Sequence, residues 1–121
     1  MKKVFITGAN RGIGLEFATQ LSAKGFEVYA VVRNSSEKLA ELPNTHIFTG
    51  IDLENLDTIT DFFNNHELPK FDWVILNAGI LIETPLQDLD ISLVEKHFRV
   101  NTLAPLLIAQ KLLPYLKEGT K

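Results

Sequence analysis

Apolar and polar positions along the chain switch repeatedly between two rhythms. Val4 to Ile6 is a short apolar run that ends in a glycine-rich turn. From Gly12 to Lys24 the spacing turns helical: Ile13, Phe17 and Leu21 recur every four residues, with Ala18 beside them. Gly25 follows and suits the left-handed conformation that closes a helix. Phe26 to Val32 is β-branched and aromatic with little polarity, the pattern of a strand covered on both faces. Ser35 or Ser36 caps a short helix carrying Leu39 and Leu42, and Pro43 stops it.

His46 to Thr49 reads as a third strand. Asn55 to His66 reads as a helix with Leu56, Ile59 and Phe63 on one stripe, broken by Pro69. Phe71 to Leu76 is a fourth strand that enters the loop Asn77-Ala78-Gly79. From Asp90 to about Lys117 the spacing is helical again. From Leu103 to Leu116 it is apolar almost all round, interrupted mainly by Gln110 and Lys111, a pattern that demands burial on more than one side. Strand and helix alternate four times, which predicts an α/β fold. The expected architecture is an open, doubly wound parallel sheet of Rossmann type, in order 3-2-1-4, with a ligand at the carboxyl ends of the strands. No repeat or linker divides residues 1–121, so one domain is expected.

Composition narrows the function. A net charge of −3 argues against a nucleic-acid module, which needs a basic face for phosphates. There is no cysteine, and His46, His66 and His97 stand far apart, so no metal site is expected. The run after Met1-Lys2-Lys3 is too short for a secretory h-region, and no stretch is long enough to span a membrane. A cytoplasmic location is the default expectation.

The sharpest chemical signal is Thr7-Gly8-Ala9-Asn10-Arg11-Gly12-Ile13-Gly14, placed between the first strand and the first helix. A helix N-terminus offers free N–H groups and partial positive charge, which suit a pyrophosphate. Gly8 permits the tight turn, Gly12 lets backbone approach phosphate, and Gly14 lets the helix pack on the strand. Without Lys-Ser or Lys-Thr after Gly12, the turn is not a P-loop. The second strand ends in Arg33-Asn34 with no acidic residue to meet a ribose hydroxyl. Arg11 can reach the same pocket, and two guanidiniums suit a 2′-phosphate, so NADP(H) is favoured over NAD(H). Within the last apolar stretch, Pro105 has no N–H, which leaves the Asn101 carbonyl without its helical partner and free to hold water.

Gly-x-x-x-Gly-x-Gly after Thr7, Asp52-Leu53, Asn77-Ala78-Gly79 and Asn101, in this order, resemble the short-chain dehydrogenase/reductase family over essentially the whole chain. The wording from Thr7 to Phe17 looks most like its C-factor and carbonyl-reductase branch. The resemblance implies hydride transfer between a nicotinamide cofactor and a carbonyl or secondary alcohol. It implies that Asp52 and Leu53 meet the adenine ring and that Asn77, Ala78 and Gly79 line the cofactor. It also makes Asn101 a catalytic residue, holding a water linked to the family's lysine. The full cofactor-binding set expected is Gly8, Asn10, Arg11, Gly12, Ile13, Gly14, Arg33, Asn34, Asp52, Leu53, Asn77, Ala78, Gly79 and Val100.

The family's proton donor is a serine on a fifth strand with a Tyr-x-x-x-Lys pair on the next helix. Here Tyr29 precedes Arg33 and Tyr115 precedes Gly119, so neither tyrosine fits that pattern. The chain alone is therefore expected to bind cofactor without turnover, truncated before a fifth strand. A regulatory or sensor module that binds NADP(H), or a fragment that binds nothing, are the alternatives. An open edge on the fourth strand and the apolar last helix predict self-association.

Overall fold

Val4, Phe5 and Ile6 are all fully buried, which requires cover on both faces of the first strand. The computed structural model describes all 121 residues. Strand β1 (Lys3–Thr7) leads through the glycine turn into helix α1 (Gly12–Ala23), then β2 (Glu27–Val31), the short α2 (Glu37–Ala40) and β3 (Thr45–Phe48). Helix α3 (Leu56–Asn65), strand β4 (Trp73–Leu76), helix α4 (Ile91–Phe98) and helix α5 (Ala104–Leu112) complete it. The four strands are parallel and lie in the order β3-β2-β1-β4, as the alternation predicts. No helix is long and apolar enough to cross a membrane.

Period-two alternation along the strands divides the core in two. Phe5, Tyr29 and Val31 face α3 and α5, where they join Ile59, Phe62, Phe71, Ile108 and Leu112. Val4, Ile6, Val28 and Ala30 face the other way, with Ala18 and Leu21 of α1 and Leu39 of α2. Ser36 is the residue that caps α2, its hydroxyl accepting from the Leu39 N–H at 3.3 Å. Asn55 caps α3 in the same manner.

Two expectations need correction. The buried stripe of α1 is Gly14, Ala18, Leu21 and Ser22, whereas Ile13 and Phe17 are 72% and 41% exposed. The cause is Gly14. A Cβ on it would run into the Gly8 carbonyl, so only a glycine can face β1 at this closest approach, and this sets the phase of the helix. Nor is the stretch from Asp90 to Lys117 one helix. A π turn over Arg99–Leu103 separates α4 from α5, and a 3-10 turn ends the helical run at Tyr115. The Ala104 N–H reaches the Arg99 carbonyl, one residue further back than in an α-helix, just ahead of Pro105. Asn101, in that turn, is exposed.

The expected open edge of β4 is partly occupied. The Lys121 N–H donates to the Asp72 carbonyl at 3.0 Å, and the Val74 N–H donates to the Lys121 carbonyl at 2.8 Å. This is the parallel-sheet pattern, with Lys121 opposite Trp73.

At the amino ends of the strands, charged side chains tie the sheet together. The Glu27 carboxylate accepts from the Tyr29 hydroxyl at 2.8 Å and from His46 Nε2 at 2.7 Å, with the Lys3 ammonium at 3.2 Å. The Tyr29 hydrogen bond, then those from His46 and Lys3, hold the Glu27 carboxyl down at about 2. Burial, then the Glu27 hydrogen bond, pushes the Tyr29 phenol up to about 12. Beneath β4 the Lys117 ammonium, 2.8 Å from Asp72, keeps that carboxyl below its usual range, aided by the Lys3 N–H.

Candidate functional site

The loops that leave β1, β2, β3 and β4 all open at the carboxyl end of the sheet, where they surround a cavity of about 600 Å³. The first loop sets its floor. Gly8 and Gly12 take left-handed backbone, at φ +70° and +56°, which a β-carbon would oppose. Gly8 also lies so close to Ala78 that a Cβ would sit 2.9 Å from the Ala78 Cα. Arg11 precedes α1 in an extended conformation, and no side chain caps the helix. The first N–H groups of α1 therefore face the cavity without a protein side chain tying them off, which suits an anionic group.

The loop after β4 is fastened to the same turn. The Ala78 N–H donates to Thr7 Oγ1 at 3.1 Å, and Asn77 Nδ2 donates to the Gly8 carbonyl at 3.3 Å. After β3 the chain is braced by its own polar groups: the Glu54 N–H donates to Asp52 Oδ1, and Thr58 Oγ1 accepts from the Asp52 N–H, both at 2.9 Å. Side-chain to backbone hydrogen bonds thus help to fix both loops.

The cavity is lined by Gly8, Asn10, Arg11, Gly12 and Ile13 from the first loop, and by Arg33 and Asn34 from the second. Asp52 and Leu53 come from the third, Asn77, Ala78 and Gly79 from the fourth, and Val100 from the π turn. Two expected residues lie elsewhere. Gly14 is buried under the Gly8 carbonyl and the Asn77 amide, so it shapes the turn from behind. Asn101 stands behind the wall rather than in it. Its Oδ1 accepts from the Ile80 N–H and its Nδ2 donates to the Ile80 carbonyl, each at 2.8 Å.

Sequence patterns did not single out Val31, Val32, Ile51, Glu54, Ile80 or Lys96, which also line the cavity. Lys96 is the one that sequence spacing could reveal, because it stands one turn before Val100 on the same helical face. Its ammonium is 3.6 Å from Glu54, an ion pair that reaches from α4 to the loop after β3. Arg11, Arg33 and Lys96 thus bring three cationic side chains to a cavity that also holds Asp52 and Glu54.

A parallel sheet in this order, with a glycine turn at its centre and an uncapped helix above it, defines a nucleotide-binding α/β protein of Rossmann type. Residues 2–121 match the family model for short chain dehydrogenase, and the chain belongs to that family of oxidoreductases. Among curated relatives, 3-amino-tetrahydro-pyrrolizinone reductase of Xenorhabdus hominickii is 28% identical over 98% of this chain and 42% of its own length. A solved short chain dehydrogenase family protein from Francisella tularensis superposes with a TM-score of 0.84 at 28% identity, covering 99% of this chain and 48% of that one. A 4-hydroxyisoleucine dehydrogenase solved with NADH superposes with a TM-score of 0.80 at 29% identity, covering 94% of this chain and 49% of that one. The chain spans less than half the length of the curated relatives it matches.

Proposed function

We propose that this chain is the NADP(H)-holding part of an oxidoreductase that interconverts a carbonyl and a secondary alcohol. The observation that carries the reading is the uncapped N-terminus of α1 behind a turn of left-handed glycines, both facing one cavity. The residues fit the cofactor: N–H groups at Gly12 and Ile13 for the pyrophosphate, and Asp52 and Leu53 for the adenine ring. Asn77, Ala78, Gly79 and Val100 stand along the wall for the remainder. Arg11, Arg33 and Asn34 all line the cavity, with no carboxylate at the tip of β2, which supports NADP(H) over NAD(H). The 4-hydroxyisoleucine dehydrogenase above was solved with NADH, so the fold alone does not fix the dinucleotide, and the choice rests here on these two arginines.

The bound dinucleotide supplies or accepts the hydride. The residues of this chain bind and orient it, and Asn101 fixes the backbone beside it through Ile80. Carbonyl reduction also needs a proton donor at the developing alkoxide. Neither Tyr29 nor Tyr115 has a lysine four residues on, so that donor is assigned to residues outside these 121. Leu106 and Leu113, 66% and 64% exposed beside the buried Ile108 and Leu112, support self-association through the last helix.

The test is titration of the chain with NADPH and NADH, followed by fluorescence, alongside an assay for carbonyl reduction. NADPH is expected to bind more tightly, without turnover. No binding of either dinucleotide would refute the cofactor assignment, and sustained turnover would refute the placement of the proton donor.

A further inference from the structure

The segment after Gly79 leaves the sheet, and its backbone is held by side chains of one helical face. Asn101 takes both polar groups of Ile80, as described. One turn earlier on the same face, His97 Nε2 accepts from the Ile82 N–H at 2.8 Å. The other ring nitrogen, Nδ1, lies 2.6 Å from the Leu93 carbonyl. A carbonyl can only accept, so Nδ1 carries the proton and Nε2 is bare. The ring is therefore the neutral imidazole in one defined tautomer. Apolar packing offers this segment little alternative hold, since Leu81 is 90% exposed and Ile82 41%.

We propose that His97 is a positioning residue of the dinucleotide cavity: as a neutral imidazole it fixes the Ile82 end of the segment that Asn101 holds at Ile80, steadying the wall formed by Gly79 and Ile80, and on protonation it lets go of that end. A proton on Nε2 would turn an acceptor into a donor facing the Ile82 N–H, and two donors cannot bond. No carboxylate lies within ion-pair distance of the ring. The segment carries Glu83, and the helix carries Asp90 at its cap, Glu95, Lys96 and Arg99. None of the four ion pairs involves His97, Lys96 is paired with Glu54, and Asp90 accepts from Ser92. The proposal rests on the cofactor reading above and adds to it a residue that never touches the cofactor.

Two measurements test it on wild type, His97→Gln and His97→Ala. The glutamine carbonyl can accept from Ile82 but cannot titrate, whereas alanine removes the acceptor. In the first measurement, NMR reads the His97 ring nitrogens and the exchange protection of the Ile82 amide, with no cofactor present. Wild type is expected to show a proton on Nδ1 near pH 8. Its Ile82 protection should fall roughly tenfold relative to His97→Gln on acidification to about pH 5.5. His97→Ala should lack the protection at both values.

In the second, NADPH affinity should weaken by roughly tenfold more in wild type than in His97→Gln over the same interval. Comparing proteins against one nucleotide cancels the titration of its own phosphates. A proton found on Nε2, or identical pH dependence in wild type and His97→Gln, overturns the proposal. So does wild-type affinity in His97→Ala. If wild type binds neither NADPH nor NADH, the cofactor reading fails and takes this role with it, an outcome distinct from normal binding that ignores His97.

Discussion

Thr7 Oγ1 accepts a hydrogen bond from the Ala78 N–H at 3.1 Å, joining the end of β1 to the loop after β4 across 71 positions of sequence. Thr7 is almost wholly buried, so water cannot substitute for that bond. Replacing Thr7 by valine keeps the shape and β-branching but leaves the Ala78 N–H without its acceptor. Thr7→Val should cost about 1 to 3 kcal/mol in urea unfolding, and Thr7→Ser should recover most of it. Equal stability of the two variants would show that the hydroxyl is dispensable.

Gly14 offers a sharper steric test. Its added Cβ would meet the Gly8 carbonyl and come within 2.5 Å of the Asn77 amide nitrogen, both part of the turn. Helix propensity alone would make Gly14→Ala stabilising. The contact predicts the opposite: a loss of about 2 kcal/mol from overpacking, together with weakened dinucleotide binding. Denaturation and NADPH titration read the two effects separately.

The arginines decide which dinucleotide is preferred. Arg33→Asp places a carboxylate where Arg33 and Asn34 line the cavity. NADPH affinity should fall by roughly a hundredfold and NADH affinity by no more than a few fold. Parallel losses for the two would remove the basis of the NADP(H) assignment.

Glu27 should make its contribution visible in acid. Its carboxyl lies lower in the folded protein, at about 2, than its ordinary value of 4.5, because Tyr29, His46 and Lys3 favour the charged form. The unfolded chain therefore binds the proton first as pH falls. The stabilisation is complete above 4.5 and disappears on the way down to about 2. Glu27→Gln should lower stability at neutral pH by about 1 to 2 kcal/mol and flatten the acid limb of a melting-temperature profile.

Strand order and the four cavity loops were legible because they depend on local signals: apolar runs of strand length, turn glycines, and short motifs at strand ends. The features that were not legible depend on contacts that no hydrophobic period or short motif reveals. Ile13 and Phe17 form a convincing apolar stripe, yet the Gly14–Gly8 approach turns α1 so that the smaller Gly14 and Ala18 face the sheet. Pro105 signals a break near Asn101, but nothing local says that the break is a π turn. The Asn101 side chain was not expected to grip Ile80, because loop backbone has no periodicity to reveal its partners. Lys96 and Glu54 are individually ordinary surface charges, and only the fold brings them within 3.6 Å.

All strands of this sheet run the same way, so its two rims carry different duties. The Glu27, Tyr29, His46 and Lys3 cluster and the Asp72–Lys117 pair sit where strands begin, while every cavity loop departs where strands finish. Engineering can exploit this separation. Substitutions along the lower rim should tune heat and acid tolerance while leaving nucleotide choice untouched, and exchanges of exposed cavity side chains such as Arg33 should retarget the ligand with little effect on robustness.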